Sequence, residues 1–255
     1  MSTARVNSTD AIRAAWDSRA TSYAAMLADP TARGLAAEIE LRAFLAAIDG
    51  RIPLEILDAG CGPGFHGRRL LRKGHRVTFA DVSQVMLARA QSSTSPEDVS
   101  RASFVEADIR HLRQFGARSF DAVVSGGTVV SDCGNPGAAL VELRRVLREN
   151  GTLGFSVRNI EGPQQKGKRQ QVIENGGGGF DWWFFSVESI TGLCNQVGLA
   201  VSRVCPVLME SPSSPPTDDF VQRHLEAKNP NQWRNAAWEL FVIAKRKARR
   251  SPCTY

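Results

Sequence analysis

Glu55-Ile56-Leu57-Asp58-Ala59-Gly60-Cys61-Gly62-Pro63-Gly64 is the stretch whose reading decides the fold. A short apolar run ends in an acid, and a glycine-rich turn follows at once. That order suits a buried strand whose C-terminal end holds a nucleotide-like ligand. Glycines let the backbone approach the ligand where a Cβ would collide, and ligands of open α/β sheets collect at the strand tips. The same residues admit a second reading. Gly62-Pro63-Gly64-Phe65-His66-Gly67 is a G-x-G-x-x-G run, and Asp81 follows at about the distance expected of a dinucleotide's ribose-binding acid. Asp58 argues against it, because a carboxylate there would face a pyrophosphate. It suits a cationic or amine-bearing ligand.

The flanking sequence supplies the rest of an α/β domain. Residues 8–28 read as a helix, with Ser8, Thr9 or Asp10 as cap and Ile12, Trp16, Tyr23 and Leu27 at near-helical spacing. Asp29-Pro30 ends it. A second helix over residues 34–48 stops at Asp49-Gly50. Strands are expected at 55–58, 75–80, 102–106, 120–125, 152–157, 199–207 and 238–244, and helices at 64–73, 83–91, 138–148 and 187–197. This alternation predicts a parallel sheet with right-handed crossovers. Residues 159–180 break the rhythm: a polar, basic segment runs into Gly176 to Gly179 and then into Phe180, Trp182, Trp183, Phe184 and Phe185. Residues 211–219, with three prolines, read as a loop without a core of its own.

The glycine turn resembles the first motif of the class I S-adenosylmethionine (SAM)-dependent methyltransferases, L-D-x-G-C-G-x-G, almost completely from Leu57 to Gly64. The resemblance extends over about residues 10 to 246. It implies a Rossmann-like, seven-stranded, mostly parallel sheet with helices on both faces, an antiparallel last hairpin and an N-terminal helical cap. The domains expected are a cap over residues 1–50, a methyltransferase domain over 51–246 with a lid at 159–185 and an insertion at 208–232, and a basic tail at 247–255. The cofactor implied is SAM. Asp58 and Gly60, with Gly62, would stand nearest its amino-acid end. Asp81 would take the ribose diol, a task for a two-oxygen acceptor, and Val82 and Met86 would wall the adenine. Asp108 resembles the acid near the adenine amino group, with Ile109 on the ring. Ser125 resembles the residue bordering the methionine part, and Tyr23 the aromatic hydroxyl of a helix folded over the cofactor. Arg33 is a candidate partner for the cofactor carboxylate. Asp81 also reads as an acid at a helix N-terminus, Asp108 as a turn acid and Tyr23 as an amphipathic core residue.

Composition narrows the class. The chain has 255 residues, enough for one large α/β domain. No apolar run approaches a membrane span, and the N-terminus has no signal pattern, so a cytoplasmic protein is expected. Its five cysteines show no metal-ligand spacing and read as reduced thiols; Cys61 reads as a small residue that fits the turn. The formal charge of +6 owes much to Lys245, Arg246, Lys247, Arg249 and Arg250, which read as a tail. Arg68, Arg69, Arg72 and Lys73 read as a solvated helix face, so nucleic acid is not the favoured partner.

Methyl transfer is an in-line displacement at an activated sulfonium, so positioning and water exclusion carry most of it. A base is needed only if the nucleophile must lose a proton. His66 and Asp132 are the candidates, with His224 behind them. The glycines and aromatics at 176–185 suggest a hinged lid, with Trp182, Trp183 and Phe184 on the substrate; packing of the next helix is the other reading. Trp233 and Trp238 read as secondary, Trp238 as core. The acceptor expected is a small, flat or apolar molecule, aromatic or indolic, from a biosynthetic pathway, and a homodimer is the assembly kept open. The competing functions are RNA modification, supported by the basic tail, a NAD-binding oxidoreductase, and a SAM-binding protein without catalysis.

Overall fold

The computed structural model describes residues 7–30, 33–48, 50–163, 170–173, 180–207 and 217–247. Two helices, α1 (Thr9–Ala28) and α2 (Arg33–Leu45), precede the sheet. Next come β1 (Glu55–Ala59), α3 (Phe65–Arg72), β2 (Arg76–Asp81), α4 (Gln84–Ser92), β3 (Ala102–Glu106) and β4 (Phe120–Ser125). The single turn α5 (Val129–Asp132) and α6 (Pro136–Val146) lead into the long β5 (Leu147–Asn159). The chain continues with β6 (Gln170–Ile173), β7 (Phe180–Phe185), α7 (Val187–Gln196), β8 (Leu199–Val207), α8 (Asp218–Glu226), α9 (Pro230–Trp233) and β9 (Glu239–Arg246).

The main sheet runs β3-β2-β1-β4-β5-β9-β8, the first five strands parallel and β9 antiparallel to both neighbours. This is the Rossmann-like sheet with an antiparallel last hairpin that the family resemblance implies. Side chains alternate between its faces. Leu57 and Ala59 point into one core with Val123 and Leu153, and Ile56 points into the other with Val77 and Phe79. Burial of each such large apolar side chain contributes about 1.5–3 kcal/mol. Ser8 and Ser83 cap α1 and α4 as expected, accepting from the Ala11 and Met86 N–H groups.

Several expectations need correction. The helix expected to reach residue 148 ends at Val146, and Leu147 already pairs with Phe120 in the sheet. Arg246 is not part of a loose tail: it lies in β9, is buried, and its guanidinium donates to the carbonyls of Arg144, Arg145 and Leu147, where α6 gives way to β5. The aromatic run is a strand. β5 extends beyond the end of β4, and β7 pairs with this overhang at Arg158 and Asn159, while β9 holds the opposite edge. The glycines of the expected hinge, Gly176 to Gly179, lie outside the described residues. The expected insertion contributes α8, whose Val221 and His224 are buried.

Helix α1 lies across the C-terminal ends of β2 and β3. Arg13 reaches Glu106 at 2.8 Å and the Val82 carbonyl at 3.1 Å. The Ser83 hydroxyl donates to Asp17, and the Thr9 hydroxyl donates to Asp108 at 2.7 Å. Asn7 and Asp181 bond each other twice, tying the start of the helix to β7. These polar contacts tie α1 to the strand tips beside an apolar patch of Ile12, Ala15, Trp16 and Val82, while α2 packs into the core through Leu35, Ile39 and Phe44.

Candidate active site

The site grows from the turn between β1 and α3. Gly60 has φ 71° and Gly62 φ 52°, a region that favours glycine. At Gly60 a Cβ would come within 2.5 Å of the Val129 side chain. The N–H groups of Gly60 and Cys61 both donate to the Ala80 carbonyl, drawing the turn against the end of β2. Gly67, the last glycine of the run, allows α3 to pack closely: a Cβ there would lie 2.2 Å from Phe79. Cys61 is buried, and burial pushes its thiol well up, in keeping with a packing role.

Asp81 closes the arrangement. Its carboxylate accepts from the Gly62 N–H at 2.8 Å and the Ser83 N–H at 2.9 Å. Burial pushes its pKa up to about 6 against the pull of these two donors. Asp81 lines a narrow cavity together with Gly60, Gly62, Val82, Met86, Asp108 and Ile109, and α1 roofs it with Ile12, Trp16 and Tyr23. The residues singled out around the ribose and adenine thus converge on one cavity. A narrow gap bordered by Tyr23, Arg33, Gly60, His66 and Gly127 adjoins it.

Four sequence candidates stand elsewhere or are engaged. Asp58 does not line the cavity: it is buried and accepts from the Gly67 N–H at 2.8 Å, and burial pushes it up to about 6. The Ser125 hydroxyl is spent on the Ala59 carbonyl at 2.8 Å. Asp108 borders the cavity, but its oxygens accept from Thr9 and, through three contacts, the Arg110 guanidinium. Although burial raises Asp108, these donors hold its carboxyl below its ordinary value. Arg33 is buried against Glu239, with Nη1 2.5 Å from Oε1. Burial leaves the Tyr23 phenol above its ordinary pKa.

A second cavity, of about 450 Å³, opens beside the first, sharing Trp16, Tyr23, Gly127 and Asp132 with it. Trp182, Phe184, Trp238, Arg158 and Glu239 form much of its wall. Because β7 alternates, Trp182 and Phe184 face this space, while Trp183 packs against the core beside Phe185. Trp233 is core and Trp238 lines the cavity, the reverse of the expectation for Trp238.

Neither proposed base is free in this cavity. His66 is buried 3.2 Å from Glu40, and its ring crowds Gly126, where a Cβ would lie 2.3 Å from Cε1. Asp132 is held by Arg158 through two contacts of 2.9 Å and receives the Thr128 hydroxyl. His224 bonds the Phe220 carbonyl within α8. Sequence reasoning passed over Ile12, Gly127, Val129, Arg158 and Glu239. Glu239 had a signal: it is a lone acid opening an apolar strand, Leu240-Phe241-Val242-Ile243-Ala244.

Residues 56–151 match a family described as a methyltransferase domain. Over these residues the chain carries a SAM-dependent methyltransferase domain of the class I kind. It is 39% identical over 113 residues to a malonyl-[acyl-carrier protein] O-methyltransferase of Pseudescherichia vulneris, covering 44% of this chain and 42% of that protein. It is 34% identical over 129 residues to a glycine/sarcosine N-methyltransferase of Parasynechococcus marenigrum, covering 49% of this chain and 45% of that one. The chain therefore spans less than half the length of these relatives. The Burkholderia thailandensis 1,6-didemethyltoxoflavin-N1-methyltransferase shares the fold, with TM-score 0.59, 19% identity and coverage of 94% of this chain and 88% of that one.

Proposed function

We propose that this methyltransferase moves the methyl group of SAM to a small organic acceptor held in the aromatic second cavity. One observation carries the reading: the glycine-turn cavity and the aromatic cavity share a wall at Tyr23, Gly127 and Asp132. A donor in one would thus lie beside an acceptor in the other. SAM supplies an activated methyl, and the protein's part is to place the two reactants and exclude water. Asp81 would accept from the ribose hydroxyls while Gly62 and Ser83 fix its orientation. Val82, Met86 and Ile109 would flank the adenine. Gly60, Tyr23 and Arg33 border the gap suited to the methionine end. Trp182 and Phe184 would pack on a flat acceptor. We place the protein in the cytoplasm, in a biosynthetic pathway, with α1 and α2 as its cap.

Calorimetry with S-adenosylhomocysteine and NAD tests the donor site. Micromolar binding of S-adenosylhomocysteine with none of NAD is expected; the opposite pattern would defeat the reading. The similarity to malonyl-[acyl-carrier protein] O-methyltransferases favours a second acceptor, a carboxylate carried on a protein-bound thioester. Incubation with labelled SAM and either free aromatic metabolites or malonyl-loaded carrier protein separates the two. Label appearing only on the carrier would replace the small-molecule acceptor.

A further inference from the structure

Two buried polar atoms on residues of the second cavity's wall have no partner among the described residues, the acceptor Glu239 Oε2 and the donor Trp182 Nε1. Glu239 opens β9 at the cavity wall and is 4% exposed. Its Oε1 accepts from Arg33, whereas its Oε2 has no partner among the described residues. A buried carboxylate oxygen without a donor is costly. Burial raises the Glu239 carboxyl above its ordinary value, with Arg33 opposing and Glu40 reinforcing. Two cations of the wall are ion-paired, Arg33 with Glu239 and Arg158 with both oxygens of Asp132, and Arg19 lies 5.8 Å from the Trp16 ring centroid. Arg158 also stacks on Trp182, 3.7 Å from the ring centroid. A carboxylate-bearing ligand would compete with the ion pairs of Arg33 and Arg158, whereas a donor would complete the unfilled valence of Oε2.

We infer that Glu239 selects the acceptor by taking a hydrogen bond from an N–H or O–H group on the side chain of an aromatic molecule whose ring is held against Trp182, Phe184 and Trp238. The inference rests on the second cavity being the acceptor site. An ammonium group would gain further from the aromatic faces; a hydroxyl would rely on the hydrogen bond alone.

Calorimetry on the full chain saturated with S-adenosylhomocysteine, using four indoles of similar size, tests it. Tryptamine and tryptophol carry a donor, 3-ethylindole carries none on its side chain, and indole-3-propionate carries an anion. At least one donor ligand is expected to bind fivefold or more tightly than both 3-ethylindole and indole-3-propionate, and which one does so identifies the donor as amine or hydroxyl. A smaller preference, or no binding by any of the four, overturns the inference. In Glu239→Gln the amide oxygen would turn to Arg33 and the NH2 group to the cavity. The preference should then fall at least fivefold and shift toward indole-3-propionate; an unchanged preference in a variant that still melts cooperatively also overturns it. The wild-type comparison stands even if the variant does not fold. Binding of S-adenosylhomocysteine is measured first and separately, so loss of the donor-site reading is distinguishable, and the four indoles are then compared on the free protein.

Discussion

The Gly62 N–H donates to Asp81 Oδ2 at 2.8 Å, so the glycine turn after β1 and the acid ending β2 form one unit. Asp81 is therefore both a candidate ligand for the ribose and a brace for the loop that would cradle the cofactor. Replacement by Asn keeps the size but removes the charge. Asp81→Asn is expected to weaken S-adenosylhomocysteine binding by about 2–3 kcal/mol through loss of charge-assisted hydrogen bonds. Unchanged affinity by calorimetry would remove Asp81 from the site.

The same carboxylate predicts a pH dependence. Burial lifts Asp81 to about 6 in the ligand-free protein, so it takes up a proton as the pH falls through that value. The ionised form is the better acceptor for two hydroxyls, so cofactor affinity should fall about tenfold from about pH 7.5 to about pH 5. Asp58 titrates in the same range but bonds the Gly67 N–H rather than the cavity. A profile that stays as steep in Asp81→Asn would assign the effect to another group.

Asp108 and Arg110 predict a different phenotype. With Thr9 they tie the first turn of α1 to the loop after β3. Asp108→Asn should cost about 1–3 kcal/mol of stability. It should also raise hydrogen exchange in the first turns of α1 more than in the strands. Uniform protection across α1 would show that the latch lies elsewhere.

Trp182 and Trp183 are neighbours in sequence with opposite tasks. Trp183 packs on the core, so Trp183→Ala should lower stability by about 2 kcal/mol or more. Trp182 lines the second cavity, so Trp182→Ala should leave S-adenosylhomocysteine affinity nearly intact and weaken the acceptor. Thermal melts and acceptor binding, measured on both variants, check the division. Reversed behaviour would mean that β7 pairs in the other register.

Gly127 predicts a conformational requirement. It sits at φ 72°, and a Cβ would come within 2.6 Å of the Tyr23 hydroxyl. Gly127→Ala should therefore cost about 1–3 kcal/mol from backbone strain and displacement of Tyr23. Both melting temperature and cofactor affinity should drop; a variant equal to wild type in both would show that Tyr23 moves freely.

The sequence by itself determined the sheet and the floor of the first cavity. Glycine spacing, strand periodicity and the acids at strand tips are local features, and a parallel sheet brings consecutive strand tips to one edge. Gly60, Gly62, Asp81, Val82, Met86 and Ile109 thus meet as their positions in the chain require. Only the tertiary structure decided what each buried charge does. Arg33 lies 206 residues from its partner Glu239, and Arg158 reaches Asp132 from a strand that overhangs its neighbour. His66 and Asp132 looked available as bases because a sequence does not show which buried charges neutralise one another. The same holds for the aromatic run: alternation along a strand separates Trp182 from Trp183, but the pairing of β7 with the end of β5 sets which one meets the cavity. Local chemistry fixed the cofactor end of the site, and long-range packing fixed the acceptor end.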